Sequence, residues 1–212
     1  MGAAAAPMRE HTTFRVGGIA DVLLWPRGEQ DVLFARQLAG DLGVPFAVLG
    51  ACSNVLVLDG GIRGIVLRTA RTWEEVRVEG CRVTASAGAR LPRVAAEARK
   101  AGLRGLEFFA VIPGTVGGAV VQNAGAGKQC VADTFRAARV LEPSGEERRL
   151  GAAALAFGHR TSALRGGSRI ALEAEFECVP DSSDAISRRI REHRRRRRQR
   201  LPLSKPCAGS VF

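Results

Sequence analysis

Apolar positions along the chain change their spacing from segment to segment, and that spacing predicts alternating strands and helices. Val22-Leu23-Leu24-Trp25 is an apolar run of strand length, Gln30 to Leu42 is amphipathic at helical intervals, and Phe46-Ala47-Val48-Leu49 is a second strand-like run. Gly43 falls where a helix C-cap is expected. Val55-Leu56-Val57-Leu58 and Gly64-Ile65-Val66-Leu67 predict two further strands, joined by a turn at Asp59-Gly60-Gly61. Together these segments predict an α/β unit closed by residue 70.

The next segment opens on a hairpin, Val76-Arg77-Val78 and Arg82-Val83-Thr84, turning at Glu79-Gly80. A helix is predicted from Leu91 to Ala101, with Pro92 in its first turn and Gly102 ending it. A glycine-rich stretch from Pro113 to Gly127 follows, then a hairpin turning at Pro143-Ser144-Gly145. Ile170, Leu172, Ala174, Phe176 and Cys178 alternate with Ala171, Glu173, Glu175 and Glu177, which predicts a half-buried strand with one acidic face. Asp181-Ser182-Ser183-Asp184 offers N-caps for a helix that ends before Pro202 and Pro206. The organisation expected is one subdomain over 1–70, a second over 71–178, and a basic helix with the start of a further domain over 179–212.

Composition narrows the function classes. With 46% hydrophobic residues in a chain of 212, a packed core is expected rather than disorder. The formal charge of +11 suggests a polyanion, until its placement is read: nine arginines against Glu192 alone lie between Arg188 and Arg200. The remainder is only mildly basic. A stretch without stacking aromatics is expected to be a solvated helix face rather than a nucleic-acid site. Cys52, Cys81, Cys130, Cys178 and Cys207 form no C-x-x-C pair, so neither a metal site nor a disulfide framework is expected. The N-terminus lacks a signal-sequence pattern and no run reaches the length of a membrane span, so a cytoplasmic protein without membrane insertion is expected.

The chemistry-bearing candidates are glycine turns. Gly50-Ala51-Cys52-Ser53-Asn54 lies between two predicted strands, where small residues allow a sharp turn that exposes successive amides to phosphate oxygens; a tight strand connection wants the same residues. Pro113-Gly114-Thr115-Val116-Gly117-Gly118 and Gln122-Asn123-Ala124-Gly125-Ala126-Gly127 are two more. Neither has the G-x-G-x-x-G spacing, and Gln122 and Gln129 break a P-loop around Gly127-Lys128. Several such turns contributed by two subdomains suit a long ligand with a diphosphate at its middle.

At this point the chain resembles the UDP-N-acetylenolpyruvoylglucosamine reductases of peptidoglycan synthesis. The resemblance runs in order through His11-Thr12-Thr13-Phe14-Arg15-Val16-Gly17-Gly18, Leu49 to Asn54, Gly105-Leu106-Glu107-Phe108, Ile112 to Gly118, Gln122 to Gly125, Phe157-Gly158-His159-Arg160-Thr161-Ser162 and Ala208-Gly209-Ser210-Val211-Phe212. It implies an α+β, two-subdomain FAD-binding fold of the PCMH/vanillyl-alcohol-oxidase type. It also implies an NADPH-driven, FAD-dependent reduction of UDP-N-acetylglucosamine enolpyruvate to UDP-N-acetylmuramate. By the same resemblance, Leu49, Gly50, Ala51, Cys52, Ser53, Asn54 and Val55, with Pro113, Gly114, Thr115, Gly117 and Gly118, hold the FAD diphosphate and its surroundings. Asn123, Ala124 and Gly125 approach the flavin, Arg160 stabilises enolate-like charge, and Ser210 donates a proton.

Departures from the family pattern shape the remaining expectations. His159 stands in place of a tyrosine, Val111 in place of glycine, and Ala126-Gly127-Lys128 in place of Ala-Tyr-Gly. Loss of two aromatics removes stacking surface and hydroxyls. Family members continue beyond the Gly-Ser-Val-Phe motif to a catalytic glutamate, so the expectation is a chain holding only the start of the substrate domain. Two rival classes follow: a catalytically incomplete FAD-binding relative, and a basic-tailed protein that binds anionic polymers in a salt-sensitive way.

Overall fold

The computed structural model describes residues 1–201 and 205–209. Two compact units divide the chain: Met1–Trp73 with Leu203–Phe212, and Glu74–Pro202. In the first, β1 (Gly2–Pro7), β2 (Ile19–Leu24), α1 (Glu29–Asp41), β3 (Phe46–Leu49) and β4 (Ile62–Arg68) form a four-stranded sheet with a helix. The sheet order is β1-β2-β4-β3, with β1 antiparallel to β2 and with β2 and β3 both parallel to β4. Residues 31–39 supply Val32, Ala35 and Ala39 as the buried stripe of α1, and Gly43 turns the chain away at φ 62°.

Two expectations are corrected here. Residues 55–58 do not form a strand: β4 is paired on both sides by β2 and β3, and 55–58 join no ladder of the sheet. Val57 is buried while Leu56 and Leu58 are exposed, so the alternation is present without the pairing; the Leu58 carbonyl instead accepts from Gly18 and Gly61. In the other direction, β1 is a strand that its run of alanines did not predict. Pairing with β2, from Gly2↔Leu24 to Pro7↔Ile19, recruits it despite weak intrinsic preference.

The second unit holds β5 (Val76–Glu79), β6 (Arg82–Ser86), α2 (Leu91–Lys100), β7 (Leu103–Arg104), α3 (Val116–Val121), β8 (Gly125–Ala126), β9 (Gln129–Cys130), β10 (Phe135–Leu141), β11 (Glu147–Gly151), α4 (Ala152–Leu155), β12 (Ile170–Glu177), β13 (Val179–Pro180) and α5 (Ser183–Arg200). Its main sheet is antiparallel throughout, in the order β11-β10-β12-β6-β5. On one face Leu172, Ala174 and Phe176 of β12 enter the core, where Phe109 meets Phe108 and Phe176 edge-on at ring distances of 4.7 and 5.3 Å. Leu91, Val94, Ala95 and Ala98 are the apolar stripe of α2 facing the same core.

The other face of β12 shows where much of the arginine goes. Glu173 pairs with Arg77 and Arg139, Glu175 with Arg149 and Arg82, and Glu177 with Arg136, so each strand flanking β12, and the next one out, contributes a cation. The Arg149–Glu175 pair is bidentate, at 3.0 and 2.8 Å. Those hydrogen bonds hold the Glu175 carboxyl below its ordinary 4.5, against burial, which pushes it up. A carboxyl depressed in the folded state stabilises above its unfolded pKa, and that contribution is lost as pH falls through the folded value. Thermal melts of the protein and of Arg149→Met between about pH 3 and 6 should therefore differ most at the upper end and converge in acid. Parallel curves across that range would show that the pair contributes nothing.

Ser182 caps α5 by accepting from the Ala185 amide at 3.2 Å, and Ile186 and Ile190 bury one side of the helix in the second unit. Arg189 donates to Glu107 at 2.7 Å and to Asp181 at 2.7 Å. Helix α5 is thus docked by two isoleucines and one buried carboxylate, while most of its arginines face outward.

Candidate cofactor-binding site and active site

In the first unit the chain leaves β3 through Gly50 and Ala51, then turns at Cys52, which adopts a left-handed conformation at φ 53°. Cys52 spends its side chain inward: the thiol is buried, donates to the Gly50 carbonyl, and has its pKa pushed up by burial, against a smaller downward pull from Arg68. What the loop offers outward is backbone. Among the described residues, nothing accepts from the amides of Ala51, Cys52, Ser53 or Asn54. Unpaired successive N–H groups around a left-handed residue form an anion-binding concavity. The loop is braced by Thr13, whose amide donates to the Cys52 carbonyl at 3.2 Å.

Thr13 also fixes part of the C-terminal segment. Its hydroxyl donates to the Cys207 carbonyl at 2.7 Å, and the Cys207 amide donates back to Thr13 at 3.1 Å. Gly209 lies so close to the loop that an added Cβ would sit 3.0 Å from Asn54 Oδ1, and its φ of +102° also favours glycine. Ser210, predicted as the proton donor, lies outside the described residues.

In the second unit, Gly114 and Thr115 lead into α3, and the Gly117 amide donates to the Ala87 carbonyl at 2.9 Å. Thr115 is buried, yet its hydroxyl has no partner in the described chain. The next turn is held by Asn123, whose side-chain amide donates to the Gly158 carbonyl at 2.9 Å and whose Oδ1 accepts from Ala132 at 3.0 Å. Both ends of that side chain are engaged in bracing the turn, at a residue itself in the left-handed region with φ 42°.

The Asn123 brace brings 122–125 and 157–162 together. Gly158 and Thr161 pair across a tight turn that presents His159 and Arg160 outward, with Arg160 at φ 56°. Ser162 anchors the turn from behind by donating to the Val121 carbonyl at 3.0 Å. The Arg160 guanidinium lies against Gly125: a Cβ there would be 3.0 Å from Nη1 and 2.4 Å from the Gln129 carbonyl oxygen. Glycine is required at 125 by that close approach. His159 is exposed beside Arg160.

Two buried charged residues stood out only in the structure. Glu107 was part of a motif with no assigned task, and the structure gives it one, as the buried acceptor for the Gly105 amide and for Arg189. Arg68 carried no motif at all. Among the described residues no three of His, Cys, Asp and Glu converge as metal ligands, and no helix is long and apolar enough to cross a membrane. The cysteines are unpaired thiols, that of Cys178 pushed up to about 12 by burial.

Residues 20–151 match the FAD binding domain family, so by class the protein carries an FAD-binding domain. The chain is 44% identical over 206 residues to the UDP-N-acetylenolpyruvoylglucosamine reductase of Moorella thermoacetica, covering 97% of this chain and 68% of that protein. A Clostridium botulinum reductase of the same name is 40% identical over 97% of this chain and 67% of its own length. The crystal structure of the Thermus caldophilus enzyme superposes with a TM-score of 0.84 at 32% identity, over 100% of this chain and 73% of that one. The chain belongs to the UDP-N-acetylenolpyruvoylglucosamine reductase family. A glucooligosaccharide oxidase from Acremonium strictum, at 23% identity, shares the fold alone, with a TM-score of 0.62 over 84% of this chain. The fold is the expected α+β FAD-binding type.

The residues fit the cofactor that this class binds. Among the described residues nothing accepts from the 51–54 amides, and the buried Thr115 hydroxyl has no partner.

Proposed function

We propose that this chain carries out the FAD-dependent reduction of UDP-N-acetylglucosamine enolpyruvate with NADPH as hydride donor. The observation that carries the reading is Arg160, set in a left-handed turn against Gly125 and braced through Asn123 and Ser162, at the position the family resemblance assigns to the active-site arginine. Bound FAD supplies the hydride chemistry between NADPH and the enolpyruvyl double bond. Within the first unit, the amides of 51–54 would hold the diphosphate of the cofactor.

Arg160 acts on the substrate. Hydride addition at one carbon of the enolpyruvyl group leaves negative charge spread over the neighbouring carbon and carboxylate, and a guanidinium fixed beforehand stabilises that charge without reorganising. Ser210 is the proposed source of the proton that completes the addition at the adjacent carbon. A hydroxyl is a weak acid, so it requires a positioned partner to take this role.

The test is a visible spectrum of the purified protein, followed by NADPH oxidation with and without the enolpyruvyl sugar. Flavin absorption and substrate-dependent oxidation are the expected results. Flavin without such turnover would leave a cofactor-binding relative, and a colourless protein that cannot be loaded with FAD would remove the reading altogether. Retention on a polyanion that weakens with salt would favour the arginine-rich helix as the working surface instead.

A further inference from the structure

Arg68 is the last residue of β4 and stands in register with Leu49, where the 50–54 loop leaves β3. It is only 7% exposed. Among the described residues its Nε has no hydrogen-bond partner and the guanidinium forms no ion pair. The neighbour it meets is the Cys52 thiol, which is buried and whose deprotonation burial disfavours. A permanently charged guanidinium taken out of water without a counter-charge costs several kcal/mol, and it cannot escape by losing its proton. His11 lies close enough to feel the charge: its pKa is lowered first by burial and then by Arg68, with Glu10 opposing and Arg71 adding a smaller downward pull. Among the described residues, a buried cation without a counter-charge therefore lies beside a loop whose amides have no acceptor.

We propose that Arg68 is a binding residue for the diphosphate of FAD, contributing the positive charge that the amides of Ala51 to Asn54 lack. The proposal rests on the reading that this chain binds FAD. Free amides alone make a weak anion site, whereas a guanidinium behind them adds charge-assisted hydrogen bonds. The anion in turn satisfies a donor that the empty fold leaves stranded. NADPH and a UDP-sugar also carry diphosphates, so the assignment to FAD is itself part of the test.

The experiment compares the full chain, stripped of flavin, with Arg68→Met and Arg68→Lys. Methionine keeps the apolar stem and removes the stranded charge, so the flavin-free Arg68→Met protein should melt no lower than the flavin-free parent. Its dissociation constant for FAD should rise by about ten- to a hundredfold, the usual range for losing a charge-assisted hydrogen bond. ADP, which carries the diphosphate without the flavin, should weaken in parallel, while riboflavin, which carries no phosphate, should bind equally to both. Arg68→Lys should recover part of the FAD affinity. Equal FAD affinity in parent and Arg68→Met overturns the proposal, as does a lower flavin-free melting temperature that lysine does not restore, because the arginine would then be structural. Weakened UDP binding with unchanged FAD binding would overturn the assignment to FAD. A parent that binds no FAD at all is a different outcome, which removes the functional reading on which the proposal stands.

Discussion

Arg160→Ala is expected to keep its flavin and its melting temperature while kcat for enolpyruvate-dependent NADPH oxidation falls by about a hundred- to a thousandfold, the range for removing a preorganised charge from a developing anion. The side chain is exposed, and among the described residues no carboxylate pairs with it, so the folded state loses little when it is removed. What disappears is a cation whose position is set beforehand by a left-handed backbone at φ 56° and by contact with Gly125. Arg160→Lys should restore only part of the rate, since an ammonium reproduces the charge but not the planar fork. Gly125→Ala should disturb the turn itself, because its Cβ would meet the Gln129 carbonyl oxygen at 2.4 Å as well as Arg160 Nη1 at 3.0 Å, so both the melting temperature and kcat should fall. Stopped-flow measurement of the two half-reactions locates the defect. NADPH-dependent flavin reduction should proceed normally in Arg160→Ala, and only the substrate-dependent step should slow. An unchanged second step would take Arg160 out of the chemistry.

Elements with strong periodicity were legible in the sequence, and elements created by tertiary pairing were not. Both β10–β11 and β5–β6 hairpins, α1, α2 and the acidic strand β12 are written in local patterns that packing did not overrule. β12 is the clearest case: period two set its buried face, although nothing local revealed that arginines from four other strands would answer its glutamates. Residues 55–58 have the alternation of a strand and pair with none, whereas β1 has no such alternation and becomes a strand because β2 offers an edge. The site divides in the same way. Glycine turns and Arg160 stand out by motif, whereas Arg68 is visible only once burial and missing partners can be read from coordinates. Asn123 was expected at the cofactor, and its side chain is spent on Gly158 and Ala132, a bracing role that spacing alone does not reveal.

Glu107→Ala is expected to be the most destabilising single change at a charged residue of the second unit, by about 2–3 kcal/mol. The carboxylate is only 4% exposed and serves two donors, the Gly105 amide and Arg189 Nε, each at 2.7 Å. Removing it strands a backbone N–H inside the fold and deprives Arg189 of one of its two anions. Arg189 is 42% exposed along its side chain, so water recovers part of the loss and the cost falls below the about 3–5 kcal/mol of a fully buried pair. For a chain of this size the melting temperature should drop by roughly 4–12 °C. Glu107→Gln retains a carbonyl for Gly105 and should lose less. A double-mutant cycle with Arg189→Met separates the ion pair from the backbone bond: the two changes should combine to less than their sum by at least about 1 kcal/mol. Strict additivity would mean that Arg189 draws its stability from Asp181 alone. Because Ile186 and Ile190 of α5 are buried in the same unit, loss of Glu107 should also raise hydrogen exchange along α5 before the sheet β11-β10-β12-β6-β5 opens. Uniform exchange across both would show that the helix and the sheet unfold as one.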